Sequence, residues 1–319
     1  MASLVQHMAY VGETPWHGLG NALAPKQPLE VWAEQAGMAF QILETPVRYM
    51  TESVGALGSI MTFSDQKVLY RSDTKAPLSV VSNRYRVVQP REVLEFYRDL
   101  TELSGFELET AGVLKEGRKV WALARTGQSA ALKGNDKMNG YLLLATACDG
   151  TLATTAQFTS IRVVCNNTLA VALANGGQAV KVPHSTSFDA QAVKQQLGVS
   201  ISSWEAFIYR MRTLSERKVK SHEAMNFFLR VFTDPESTAT GLTNERAIKA
   251  VQSLYDGQGK GAELSSAKGT AWGLLNSVTE YVDHQRRARS QDYRLDSAWF
   301  GQGAVIKRNA LDEALKMMA

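Results

Sequence analysis

Segments with a two-residue period and segments with a helical period occupy different halves of this 319-residue chain. MAFQILETPVRYM, KVLYRSD and LSVVSNRYRVV, all between residues 38 and 90, are rich in the β-branched and aromatic types that suit a pleated surface. Pro90 then opens a helix in which Val93, Leu94, Tyr97, Leu100 and Leu103 recur at helical spacing. Two hairpins follow, FELETAGVL and RKVWALART around Glu116-Gly117, then YLLLATA and TLATTAQFT around Asp149-Gly150. The Asp-Gly pair suits a type I′ turn, whose central residues both need positive φ. The run IRVV leads into CNNTLAVALA, where Asn166 or Asn167 is placed to cap a helix.

From residue 189 onward the period is helical. Val193, Leu197, Ile201, Trp204, Ile208, Met211 and Leu214 trace one apolar stripe, predicting a single helix over 190–217. SHEAMNFFLRVF and TNERAIKAVQSLY read as shorter helices capped by Ser221 and Thr243, and TAWGLLNSVTEYVDHQRRAR as a last long one. Strands first and helices afterwards predict an α+β fold, with antiparallel β-hairpins, a packed helix and a helical C-terminal region. The expected organisation is an N-terminal arm and short helix over 1–38, a β-rich core over 39–188 and a helical region over 189–319.

A hydrophobic fraction of 45% and a charged fraction of 21% exclude wholesale disorder. No apolar run reaches the roughly 18 residues of a membrane-spanning helix, and the opening residues lack a secretory pattern, so a cytoplasmic protein without membrane partners is expected. Cys148 and Cys165 are too few for a disulfide framework or a four-cysteine zinc site, and are expected to be buried, reduced thiols. The five histidines form no metal-binding spacing, so no metal or other cofactor is expected.

Nor is a catalytic set complete. Gly257-Gln258-Gly259-Lys260-Gly261 has Gly261 where a P-loop needs Ser or Thr and Leu254 where it needs its first glycine, and reads as a mobile surface loop. Ser265-Ser266-Ala267-Lys268 matches a bare S-x-x-K, with Ser266 better explained as a helix cap. PWHGLG at 15–20 reads as an arm pinned by Trp16, with a binding turn as the alternative. An enzyme using Cys165 or His17 is the least favoured class.

Charge is unevenly spread. Residues 1–160 carry 15 basic and 16 acidic side chains, and the remainder 20 and 15. Within SNRYRVVQPRE, a two-residue period puts Arg84 and Arg86 on one face and Tyr85 on the other. In TSIRVVCNNTLAVAL, Arg162 lies in a β run, and Asn166 and Asn167 interrupt two apolar stretches. Arginine neutralises phosphate, and amides donate and accept to bases. The expected nucleic-acid-binding surface is therefore lined by Arg84, Arg86 and Arg162, with Tyr85 to stack and Asn166 and Asn167 at the edge. The basic clusters near 210–220 and 286–294 read as the wet sides of amphipathic helices.

WHGLG at 16–20, NRYRVVQPREVLEF at 83–96, RVVCNNTL at 162–169, KGTAWGLLNSVTEYVDH at 268–284 and SAWFGQGAVIKRNAL at 297–311 carry a resemblance. With these marks the chain resembles the phage/plasmid-like protein family, a domain-of-unknown-function group of prophages, plasmids and integrative elements. The resemblance implies a mobile-element protein whose genes travel with single-strand DNA-binding and annealing functions. The order hairpin, hairpin, helix at 106–174 is also similar to the core of annealing recombinases such as RecT, Redβ and Erf. Those proteins hold single-stranded DNA in a basic groove of an oligomer. The expected function is thus non-enzymatic single-stranded nucleic-acid binding or annealing by a homo-oligomer. The alternative is a module that binds a host or element-encoded protein to antagonise host defence or modulate replication.

Overall fold

A computed structural model describes residues 8–13, 15, 20–52, 58–171, 179–197, 201–233 and 245–318. Its strands are β1 (Met8–Val11), β2 (Asn21–Leu23), β3 (Ile42–Met50), β4 (Ile60–Arg71), β5 (Pro77–Ser82), β6 (Glu107–Leu114), β7 (Lys119–Leu132), β8 (Asp136–Ala147), β9 (Thr154–Arg162), β10 (Asn167–Ala170) and β11 (Val180–Val182). An eight-stranded sheet runs β10-β9-β8-β7-β6-β1-β2, with β11 also paired to β9. Among the described residues only β1 and β2 in it pair in parallel. A second sheet has the order β3-β4-β5. Val120–Ala124 of β7 and Tyr141–Ala147 of β8 are buried at every residue, so both faces of the large sheet are covered at its centre.

The helices are α1 (Leu29–Gln35), α2 (Pro90–Ser104), α3 (Ala190–Leu197), α4 (Ile201–Glu216), α5 (Ser221–Phe232), α6 (Glu245–Ser253), α7 (Ala271–Glu280), α8 (Gln291–Phe300) and α9 (Gln302–Lys316). The mixed α+β class is as expected, mostly antiparallel sheet first and helices afterwards. Pro90 starts α2, where its missing N–H costs nothing, and the Glu92 carboxylate takes the Gln89 amide at 2.7 Å. Buried Tyr97 of α2 anchors that helix to the sheet, its hydroxyl donating to the carbonyls of Ala122 (2.8 Å) and Leu142 (3.0 Å).

Several expected elements differ. The Asp149-Gly150 hairpin closes through residues 148–153 instead of a two-residue turn, because only Gly150 takes positive φ. Asp149 Oδ1 accepts from the amide (3.0 Å) and hydroxyl (2.6 Å) of Thr151, a local bond that competes with the tighter turn. Where a helix is expected in CNNTLAVALA, residues 167–170 form a strand. Asn166 takes φ 55°, its amide donates to the Arg162 carbonyl at 2.7 Å, and the chain folds back so that β10 pairs with β9. Among the described residues the order hairpin, hairpin, helix that carried the likeness to annealing recombinases is therefore not formed.

The stripe from Val193 to Leu214 is carried by two helices, α3 against β9 and β11 and α4 against β7 and α7. Trp204 and Ile208 are buried on it, as expected. Ser266 caps nothing, since its hydroxyl donates to buried Asp136 at 2.7 Å, and Thr270 caps α7 instead, accepting from the Gly273 amide. Thr243, Trp16 and His17 lie outside the described residues. Among the described residues no helix is long and apolar enough to cross a membrane.

Candidate nucleic-acid interface

Arg162 ends β9 with its side chain turned inward, and at 2% exposure its guanidinium must be satisfied by protein groups. Nε donates to Asp136 Oδ1 at 2.7 Å, while the two terminal nitrogens reach the carbonyls of Lys260 (3.3 Å) and Gly261 (3.1 Å). Asp136, 1% exposed, also accepts from Ser266 Oγ and from Trp272 Nε1 at 2.9 Å. The glycine-rich segment at 257–261 is thus clamped over Arg162. It is fastened from the other side by Glu280, whose carboxylate takes the Lys260 amide at 3.0 and 3.1 Å. Burial raises the pKa of Glu280, against the Lys260 amide bond and the charges of Lys260 and Arg162. The expected surface loop is thus hydrogen-bonded to the interior at Lys260 and Gly261.

Asn167 is also interior, donating from Nδ2 to the Asn276 carbonyl at 3.2 Å, and Asn166 occupies the turn before it. Next along the strand, Thr168 meets Asp283 through both amide (2.8 Å) and hydroxyl (3.1 Å). Segments 162–169, 257–285 and 297–308 therefore interlock through side chains. Arg162 and Asn167 hold this interior together and present no surface.

Arg84 and Arg86 are exposed in the loop after β5, and Tyr85 turns inward between them, as the two-residue period predicts. Its hydroxyl donates to the Ala147 carbonyl at 2.7 Å and its ring stacks on His184 at 4.4 Å. Burial raises the pKa of the phenol well above its usual value. His184 reaches the carbonyls of Arg86 and Leu152, each at 3.0 Å, tying the loop to the connection that precedes β9. Arg162 stands at the far end of β9 from that connection, and the strand spans about 26 Å at some 3.3 Å per residue. The six residues do not form one surface; Arg84 and Arg86 alone are exposed.

What accompanies them was missed in the sequence. Lys67 of β4 bonds the Tyr85 carbonyl (2.9 Å) and Glu44 (2.7 Å), and the Asn83 amide reaches the Asp65 carbonyl at 3.0 Å. Those bonds set the arginine loop at the base of a ribbon formed by the outer ends of β3 and β4. The register shifts between Pro46 and Val47, after which Val47 faces Phe63, Arg48 faces Thr62, Tyr49 faces Met61 and Met50 faces Ile60. Cross-strand partners share a face, so Val47, Tyr49, Met61 and Phe63 form one apolar side. Tyr49 is 50% and Phe63 44% exposed. Consecutive apolar residues at 60–61 could have signalled a strand without a solvent side, but not that both sides lack cover.

Among the described residues no three His, Cys, Asp or Glu side chains converge to hold a metal. A comparison with curated proteins finds no match. Comparison with protein families matches residues 77–299, from the start of β5 almost to the end of α8. The matched span leaves out the β3–β4 ribbon and α9. It covers the clamped interior around Arg162 and both arginines of the exposed loop, and by this match the chain belongs to the family described as Domain of unknown function (DUF932).

Proposed function

We propose that the protein binds single-stranded nucleic acid on the β3–β4 ribbon and the loop at its base. The observation that carries this reading is the conjunction of exposed Tyr49 and Phe63 on one ribbon face with exposed Arg84 and Arg86 at its foot. Stacking platforms beside backbone-neutralising cations are the minimum that sequence-tolerant strand binding needs. Arg48 adds a cation on the opposite ribbon face, and Glu44 is neutralised by Lys67. The mobile-element setting implied by the sequence resemblance fits the same role.

Fluorescence anisotropy with a labelled oligothymidylate at two salt concentrations tests the reading. Replacing Arg84 and Arg86 together by Ala is expected to lower the log–log salt slope by about 1.4, at roughly 0.7 per phosphate contact. Tyr49→Ala and Phe63→Ala are expected to cost about 1–3 kcal/mol each without changing that slope. Undetectable binding at low salt overturns the reading, and would leave the apolar ribbon face to a protein partner.

A further inference from the structure

A cavity of about 430 Å³ lies between one face of β9 and the first turns of α9. That volume is within the roughly 300–1,000 Å³ of small-molecule sites. Thr155, Gln157 and Thr159 alternate along β9 and form its sheet wall. Three cations line it, Lys181 of β11 and Lys307 and Arg308 of α9, and no Asp or Glu does so among the described residues.

The three cations are not equivalent. Lys307 is 6% exposed and is held by Asp283 Oδ1 at 2.7 Å and Thr168 Oγ1 at 2.6 Å, so its charge is answered inside the protein. Lys181 and Arg308 are exposed, and neither makes an ion pair or side-chain hydrogen bond among the described residues. Two unanswered positive charges thus face one concave space. The N-terminal end of α9 lines it too, through Gly301 and Ala304, and adds the partial positive charge of a helix start. A separate observation is Trp299, 8% exposed and in the cavity wall, whose indole N–H has no hydrogen-bond partner. Buried donors are normally satisfied, but this nitrogen is itself closed to solvent, so the indole enters the cavity wall as apolar surface.

We propose that this cavity binds a small phosphomonoester. Lys181, Arg308 and the start of α9 hold the phosphate, and Trp299, Phe300 and Leu311 cover an apolar body. A doubly charged group with three acceptor oxygens matches two cations and a helix terminus better than a single carboxylate does. This site is separate from the ribbon and uses none of its residues.

Isothermal titration calorimetry with phenyl phosphate, inorganic phosphate and benzyl alcohol tests the proposal. Phenyl phosphate is expected to bind at one site, inorganic phosphate about tenfold more weakly, and benzyl alcohol not measurably. Lys181→Ala and Arg308→Ala should each weaken phenyl phosphate about tenfold while leaving the thermal midpoint of the free protein unchanged. Arg84→Ala with Arg86→Ala should leave that affinity intact, so failure here and failure of the ribbon reading are distinguishable. Absence of phenyl phosphate binding at millimolar concentration overturns the proposal, as does unchanged affinity in both cavity variants. Equal affinity for inorganic phosphate overturns the assignment of an apolar body.

Discussion

Arg162 shows how little a residue's type says about its role. An arginine in a strand is cationic in either reading, and only burial separates a phosphate contact from a structural ion pair. Here the partner of Arg162 is Asp136, 26 residues earlier and itself 1% exposed. Removing one member of a buried pair strands the other, which typically costs about 3–5 kcal/mol. Arg162→Ala is therefore expected to lose that much in urea denaturation, and a loss under about 1 kcal/mol would show that water or neighbours rescue Asp136. The cysteines are the opposite case, where residue type was informative. Both are buried and free, and burial pushes the thiol pKa up, to about 12 for Cys148 and to about 11 for Cys165 despite the nearby Arg162 charge. At pH 8 a thiol at 11 carries about 100-fold less thiolate than one at 9, so iodoacetamide should label both cysteines at least that much more slowly in the native than in the unfolded protein. Comparable rates would mean the thiols reach solvent.

Elements fixed by local chemistry were legible in the sequence; elements fixed by distant pairing were not. Proline at the start of α2 and the apolar stripe of α4 act within a few residues, and both were readable. β10 exists because Asn166 enters the left-handed region and the next four residues find β9, and an asparagine before an apolar run signals a helix cap equally well. The ribbon depends on a register shift in β3–β4, which no alternation pattern announces. Tertiary fit can be tested where α4 crosses the sheet. Gly140 of β8 lies under Trp204, and a Cβ there would come within 3.2 Å of the indole and 2.9 Å of Thr126 Oγ1. Trp204→Ala should cost about 3–5 kcal/mol through the cavity it leaves, and Gly140→Ala about 1–3 kcal/mol through crowding. Because the two sites touch, the double variant should lose less than the summed losses. Strict additivity in a double-mutant cycle would show that the contact does not govern either cost.

At the scale of the whole molecule, the sheet half and the helical half are joined by buried charged and polar groups, and stability should follow pH through them. Glu280, in the clamp over Arg162, has a pKa raised by burial above its ordinary 4.5. Its contribution is full below that value and is lost as pH rises through the folded-state pKa. His284 acts in the other sense. Its ring bonds the Cys165 carbonyl at 2.9 Å, and burial lowers its pKa from 6.5, with the Asp283 charge opposing. Its contribution is full above 6.5 and is lost as pH falls through the folded-state pKa. Between pH 4.5 and 6.5 the two groups therefore pull against each other. Urea unfolding at intervals across that window, on wild type, Glu280→Gln and His284→Gln, separates them by slope, whatever each substitution does to the absolute stability. On acidification Glu280→Gln should lose stability more steeply than wild type, because the compensating carboxyl is gone, and His284→Gln less steeply. Three parallel curves would mean that both groups titrate as they do in the unfolded chain, and that the seam between sheet and helices is open to water.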